Sequence, residues 1–328
     1  MDLTQLGAMP EPFALPAGYR RDDPSTRELR AAMASLAGEL AWARLAWPDL
    51  LSGLVALGRT DIPLARLTEG HIDALRILAE AGTTPRAGSL YAVWASRSQS
   101  TGLSARRTGA GWELSGTLRF ASGAGVVDRA LIPVWPADDV HLLLDLDVSS
   151  WSADGSVWQT RAMQVSRSHT FTVTGELVPL SGQVGPPGFY LERPGFFPGG
   201  VGVAAVWAGG AARVFDLVRG QGAARASASR AMRTGGVRIE LASAQGLLVA
   251  AGETLQRGPL AGARDVSTLA RAGVAAAVHR ALAHLRQLAG AAGLAYQAEL
   301  TRAVDDLDLY VRQLNPDSDA EWLGAGPG

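Results

Sequence analysis

The sequence predicts an α+β chain that is mostly α: an N-terminal helical domain, a middle antiparallel β-barrel or sandwich, and a C-terminal four-helix bundle. Three observations carry this. Apolar residues recur at helical spacing up to Gly82, alternate with polar residues between Leu90 and Pro179, and return to long alanine-rich helical runs after Val201. The expected boundaries are 1–84, 85–180 and 181–328, the last including an interdomain loop.

The first 24 residues are proline-rich and charged and read as an irregular lead-in. Ser25 followed three residues later by Glu28 forms a capping box that opens a helix over 26–46, ended by Pro48. A second helix spans Leu50–Leu57 and stops at Gly58. A third spans Leu64–Ala81 and stops at Gly82. Strands are predicted over 90–95, 103–108, 112–121, 130–135, 140–146 and 169–178.

The ribbon from Gly111 to Ala130 is the most informative stretch. Trp112, Leu114, Leu118 and Phe120 share one parity of a period-two pattern, apolar on one face and polar on the other. Ser115-Gly116 sits where a tight reversal is expected. The ribbon then ends in the small residues Ala121-Ser122-Gly123-Ala124-Gly125. Such an exit lets a flat ligand approach the backbone, with Ser122 as a hydrogen-bond donor.

Residues 180–200 are rich in proline and glycine and predict no regular structure. They carry Phe189, Tyr190, Phe196 and Phe197, of which Tyr190, Phe196 and Phe197 form a candidate aromatic pocket with Trp207. Helices follow over 201–220, 225–257, 264–293 and 297–314, and the tail is expected to fray.

Composition removes whole classes of chemistry. The chain has 328 residues and a net charge of −1, which favours neither a nucleic-acid footprint nor an anionic membrane surface. All 30 basic residues are arginine, so no lysine can form a Schiff base or bind phosphate as a P-loop does. Cysteine is absent, which excludes disulfides, thiolate zinc sites and cysteine nucleophiles. None of the 5 histidines has a partner at metal-ligand spacing. Without a secretory signal or an uncharged apolar run long enough to span a bilayer, the expected location is cytoplasmic.

Motifs built on spacing alone are weak. Gly200-Val-Gly202-Val-Ala-Ala205 resembles a dinucleotide fingerprint but lies among helices, where small residues pack helix on helix. No GxSxG nucleophile elbow occurs. The acidic pairs Asp138-Asp139 and Asp305-Asp306 point their members apart, and Glu240 and Glu253 read as solvated helix residues.

In order and in local sequence the chain resembles the acyl-CoA dehydrogenases. Its ribbon GWELSGTLRFAS, Gly111 to Ser122, is similar to that family's strand ending in an aromatic and a hydroxyl residue, with Leu118 in the usual lysine position. YAVWASRS, Tyr91 to Ser98, resembles the strand that ends in Thr-Glu-Pro, with Ser96, Arg97 and Ser98 in those places. Gln287, Gly290 and Gly293 resemble the family's Gln-x-x-Gly-Gly-x-Gly. LTRAVDDLDLY, Leu300 to Tyr310, resembles the helix after it, with Asp305 in place of an arginine.

The resemblance implies an FAD-dependent oxidoreductase acting on the CH–CH group of an acyl thioester or a related substrate. Ser96 and Ser122 would bond the flavin ring and Phe120 would stack beside it. Gln287 and Gly290 would meet the pyrophosphate or adenosine part across a subunit contact. It also implies a homo-oligomer through the C-terminal helices, dimer or tetramer, or a hetero-oligomer with a catalytic homologue. Two departures qualify the activity. The family's glutamate base aligns near Leu314-Asn315, or alternatively near Pro198 to Val201, and neither place holds a carboxylate. The Arg-x-x-Phe-Gly segment is replaced by ARASASRAMRTGG, leaving Arg225 or Arg230 to substitute. The alternatives are a flavin monooxygenase on the same fold, which needs no α-proton base, and a non-catalytic or partner subunit.

Overall fold

The computed structural model describes residues 9–97, 101–109, 111–136, 140–220, 227–258 and 263–325. Asp138, Asp139, Ser98 and Arg225 lie outside them. Three helices open the chain: α1 (Thr26–Gly38), α2 (Trp47–Thr60) and α3 (Ile62–Glu80). The capping box is formed as predicted, with the Glu28 N–H donating to Ser25 Oγ at 3.3 Å and the Ser25 N–H to the Glu28 carboxylate at 2.7 Å. The first helix stops at Gly38, earlier than its apolar spacing suggests. A 3₁₀ turn then drives Trp42 into the core, where its indole donates to the Leu36 carbonyl at 3.0 Å. Burial of one large aromatic outweighs continuation of the helix.

The strands are β1 (Tyr91–Val93), β2 (Gly102–Arg107), β3 (Trp112–Ala121), β4 (Arg129–Pro136), β5 (Leu142–Asp147), β6 (His169–Val178) and β7 (Gln183–Val184). They form one sheet in the order β6-β3-β2-β4-β5-β7, with β1 paired to β4. The sheet is mixed, not purely antiparallel, because β4 runs parallel to both β1 and β2. Alternation in a sequence reports which face a residue takes, not which strand lies beside it. Ser115-Gly116 is likewise not a reversal. β3 runs through it, and its register against β6 slips there. The turn between β2 and β3 is closed by Thr108 and Gly111.

The proline-glycine segment is less irregular than expected, since it holds β7 and the short helix α4 (Phe189–Glu192). Beyond it come α5 (Phe196–Gly220), α6 (Ala228–Arg257), α7 (Ala263–Tyr296) and α8 (Ala298–Val311). The tail does not fray but forms α9 (Pro316–Ala325). It is anchored by tertiary contacts: Arg271 pairs with Asp319 at 2.5 Å, and the Trp322 indole donates to Asp265 at 2.8 Å.

α2 and α5 cross with backbones nearly touching. A Cβ on Gly58 would lie 2.1 Å from the Val206 carbonyl oxygen, and one on Gly209 would lie 2.0 Å from that of Val55. The small residues of α5 therefore serve helix packing, as the sequence suggested for Gly200–Ala205. Contrary to the sequence expectation, α5 is long and apolar enough to cross a membrane by length and composition; here most of it is buried in the protein core. One continuous core joins Leu29 and Met33 of α1, Leu114 and Leu144 of the sheet, and Trp207, Leu282 and Leu307 of the C-terminal helices.

Candidate functional site

The end of β3 is built around a break. Between Leu118 and Ala121 the pairing with β6 shifts register, and Phe120 takes a left-handed backbone with φ +57°. A non-glycine residue there costs on the order of 1–3 kcal/mol, so its surroundings must over-determine it. The bulge turns the Phe120 ring outward, 60 % exposed, with only an edge contact to Trp158 at 6.1 Å. Ser122, two residues on, is turned inward and is 5 % exposed.

Ser122 lines a narrow crevice, too tight to hold a water molecule, together with Ala92 and Val93 of β1, Val127, and Arg66, Leu67 and Gly70 of α3. Two of the stretches that carry the resemblance thus meet at one place. Trp94 ties them: its backbone N–H bonds the Leu131 carbonyl at 3.0 Å, and its indole donates to the Ser122 carbonyl at 2.9 Å. Its ring stacks on Phe171 at 4.8 Å. Ser96, beyond β1, is exposed and does not line this crevice.

The Ser122 hydroxyl is 2.9 Å from that of Ser168, which is 2.8 Å from that of Ser166. The backbone follows the same path, with Gly123 N–H donating to Ser166 O at 2.9 Å and Ala124 N–H to Arg167 O at 3.2 Å. The supporting loop reaches the bundle through Met163, whose N–H donates to Asp306 of α8 at 2.5 Å. Asp306 is 2 % exposed, and burial pushes its carboxyl up to about 7 against the stabilising Met163 N–H. Asp305, its neighbour, is exposed, so this pair diverges as helix geometry requires.

On the other side of α3 a second, narrow cleft with room for about one water opens between α2, α3 and α5. Its charged lining is Glu69, Asp73, Arg76, Glu80 and Arg193. Glu69 pairs with Arg66 at 2.7 Å, and Arg66 lines the Ser122 crevice, so one ion pair spans the wall between the two spaces. Burial raises the Glu69 carboxyl to about 7, with Arg66 opposing. Sequence reasoning missed Glu69 because no motif surrounds it. The available signal was Arg66 and Glu69 standing one turn apart within the apolar run of α3.

Further residues separate. Tyr190, Phe196 and Phe197 form a run of edge contacts at 5.6 and 5.2 Å, whereas Trp207 packs elsewhere against Tyr310 at 6.1 Å. The four aromatics therefore do not make one pocket. The hydroxyl of Tyr310 and the indole nitrogen of Trp207 are buried without hydrogen-bond partners among the described residues. His71 accepts the Tyr91 N–H on Nδ1 at 3.0 Å, and burial lowers it to about 4, so it is a neutral structural acceptor. No group of residues fit to hold a metal ion occurs among the described residues.

Gln287 and Gly290 stand at another corner. Gly290 breaks α7 with φ +63° and ψ 179°. Gln287 is exposed and accepts from Arg233 Nε at 2.7 Å, while Arg230 donates to the Leu288 carbonyl at 3.3 Å. The start of α6 thus places Arg230, one of the two substitutes the altered segment offered, and Arg233, which it did not single out, against the Gln287–Gly290 break. No hydrogen bond or ring contact among the described residues joins this corner to Ser122 or Phe120.

Neither base position holds a carboxylate. Leu314 packs against the core and Asn315 caps α9, accepting the Ser318 N–H at 3.3 Å, while Pro198 and Val201 are buried in the first turns of α5.

No model of a protein family matches the sequence, and no curated protein matches it. Solved structures do match the fold. A dibenzothiophene monooxygenase, TdsC from Paenibacillus sp. A11-2, is 16 % identical with a TM-score of 0.73, over 91 % of this chain and 88 % of that one. XiaF from Streptomyces sp., in complex with FADH2 and glycerol, is 18 % identical with a TM-score of 0.75, over 94 % and 89 %. PigA in complex with FAD is 15 % identical with a TM-score of 0.74, over 92 % and 89 %. The fold of this chain is therefore the acyl-CoA dehydrogenase-like one: N-terminal helices, a central sheet and a C-terminal helical bundle.

Proposed function

We propose that the chain is an FAD-dependent oxidoreductase and, within that class, a monooxygenase. The observation that carries this is the β3 terminus. A strained bulge leaves an aromatic ring exposed to a flat ligand and buries the serine two residues on beside β1, while both base positions lack a carboxylate. Removing an α-proton without a base loses roughly 10²–10⁴ in rate, which counts against acyl-thioester dehydrogenation. Oxygenation needs no such base, and the fold is shared with structures named as a monooxygenase and as FAD or FADH2 complexes.

The residues present suit FAD. Phe120 offers a ring face, Ser122 a polar contact in a site it shares with apolar Ala92 and Val93, and Arg230 and Arg233 offer charge for a pyrophosphate. When bound and reduced, the cofactor supplies two electrons to dioxygen, so that one oxygen atom enters the substrate and the other leaves as water. Glu69 serves as the proton-holding group of the adjoining cleft, since its carboxyl titrates near neutrality. The separation of the Gln287 corner from the Ser122 crevice fits a cofactor that bridges two copies of the chain. Met232 and Ile239 of α6, seven residues apart and so on one side of the helix, are exposed at 75 % and 65 %, which supplies apolar surface for that contact.

The test is direct. The purified chain is reconstituted with FAD and its absorbance read between about 350 and 500 nm, where bound oxidised flavin absorbs. Stoichiometric flavin supports the reading, and a colourless chain that cannot be reconstituted overturns it. Mixing the reduced complex with dioxygen then separates the two activities. Rapid reoxidation with oxygen transfer to an aromatic or sulfur-containing acceptor marks a monooxygenase, whereas reduction by an acyl thioester marks a dehydrogenase.

A further inference from the structure

Glu69 lines a cleft with room for about one water, so anything larger reaches its carboxyl only if a wall moves. Most of the lining belongs to the long helices α2, α3 and α5. α2 and α5 are locked together where Gly58 meets Val206 and Gly209 meets Val55. The lining residues outside these helices are Arg193 and Gly195, in the linker between α4 and α5. The cleft therefore has one wall that can open without unpacking a long helix.

That wall is fastened differently at its two sides. On the sheet side His141 holds it twice: its carbonyl accepts the Gly188 N–H at 2.8 Å, and its Nε2 accepts the Leu191 N–H at 3.3 Å. On the α3 side the fastening is Arg193. One of its terminal nitrogens donates to the Glu80 carboxylate at 3.3 and 3.4 Å, and the other lies 3.5 Å from Asp73. The Gly195 N–H adds a bond to Glu80 at 3.3 Å. These contacts are longer than the roughly 2.7–2.9 Å usual for charge-assisted bonds. The Arg193 side chain is 3 % exposed, yet its Nε has no hydrogen-bond partner among the described residues. A buried guanidinium with stretched ion pairs and an unmet donor is a weak fastening, because desolvation offsets much of the attraction.

The packing beneath the wall is separable too. Tyr190, whose ring lies 5.6 Å from the Arg193 guanidinium carbon, is outside the main core. It belongs to a smaller cluster with Ala74, Ile77, Tyr91 and Leu131. Displacing the segment disturbs that cluster and leaves the main core intact.

We propose that residues 189–195 form a lid on the α2–α3–α5 cleft and that Arg193 is its latch, released from Asp73 and Glu80 to admit a substrate to Glu69. Use of the cleft by a substrate rests on the role given to Glu69 above. Opening of the lid does not, and the experiment reads opening alone, on the full chain without cofactor.

The sequence contains no cysteine, so an introduced thiol is the only one present. Ile72→Cys places it in the cleft, where the native side chain is 2 % exposed. Val278→Cys places it in the main core, where the native side chain is 1 % exposed. Alkylation by iodoacetamide is followed by intact mass across a range of urea concentrations. The cleft thiol is expected to react with a much weaker urea dependence than the core thiol, because a lid exposes far less surface than global unfolding. Equal urea dependence at the two thiols overturns the inference, and this arm needs no change at Arg193.

Arg193→Gln, added to each chain, then identifies the latch. Contacts made only in the closed state favour that state over the open and the unfolded states alike. Both thiols should therefore speed by the same factor, at least about tenfold, the worth of one hydrogen bond to a charged group. A core thiol that speeds while the cleft thiol does not would mean that the cleft opens with Arg193 still fastened. That outcome overturns the latch, as does a variant in which neither rate changes. The flavin reading is decided separately by flavin uptake, so neither failure is mistaken for the other.

Discussion

β3 and α7 are each interrupted by one left-handed residue, and the two breaks are built in opposite ways. In β3 the residue is Phe120, a poor choice for φ +57°, and everything around it is held: Trp94 grips the Ser122 carbonyl, and the 163–168 loop bonds the next two backbone N–H groups. In α7 the residue is Gly290, which adopts φ +63° with little strain, and a Cβ built on it would meet nothing within 4 Å. The first break is over-determined by a buried network and the second is permitted by residue type alone. Strain held in place against propensity marks the position whose geometry matters, and here it adjoins the crevice.

The sharpest way to probe the held break is through its distant anchor. Asp306 has its folded pKa raised from 3.8 to about 7 by burial. A raised carboxyl contributes stability that is fully present below its unfolded pKa and is lost as pH rises through the folded value. Relative to Asp306→Asn, whose amide oxygen can still accept the Met163 N–H, the native chain should lose up to about 4 kcal/mol between pH 4 and 7. Denaturant unfolding of both chains across that range measures it. His71 shifts in the opposite sense but is common to both and cancels. A difference that stays flat with pH would show that Asp306 is solvated and does not anchor the loop.

At the permitted break, Gly290→Ala forces an L-residue into a left-handed φ with no compensating contact. A loss of about 1–2 kcal/mol is expected. Thermal melting compared with Gly246→Ala, a helical glycine of α6 with open space around it, separates the φ effect from ordinary helix propensity. The control substitution should stabilise the chain slightly. Equal responses at the two sites would mean that the α7 break is not tied to its glycine.

The contrast also explains what could be read from sequence. Strand positions and their faces were legible because alternation depends on local residues alone, and the ribbon at Trp112–Ala121 has the bounds its pattern gave. The mixed pairing of β4 was not legible, since partners are chosen by tertiary packing. Phe120 and Ser122 could be named from the small-residue exit, but Ser166, Ser168 and Asp306 lie 44, 46 and 184 residues further along, in stretches whose pattern says nothing about Ser122. Ser96 resembles a flavin contact in sequence yet stands outside the crevice, because the chain turns away after Trp94 is buried. α9 was missed because its stability comes from Arg271 and Asp265 on α7, not from its own composition.

The smallest expected effect on stability is the most informative about Phe120 itself. Phe120→Gly relieves a left-handed strain of about 1–2 kcal/mol and costs about 0.5–1 kcal/mol in unfolded-chain entropy. Little burial is lost because the ring is 60 % exposed, and the edge contact to Trp158 lies at the weak end of such pairs. The net change should therefore fall within about 1 kcal/mol of zero, opposite in character to the loss at Gly290. Retention of FAD should fall at the same time, because the ring face is gone while the Ser122 network is intact. Melting temperature and flavin dissociation constant, measured on one preparation, give both numbers. A chain destabilised by well over 2 kcal/mol would show that Phe120 is held for packing, and its left-handed backbone would then carry no functional meaning. A stable chain with weakened flavin binding would show that the strain at this strand end is kept for the ligand.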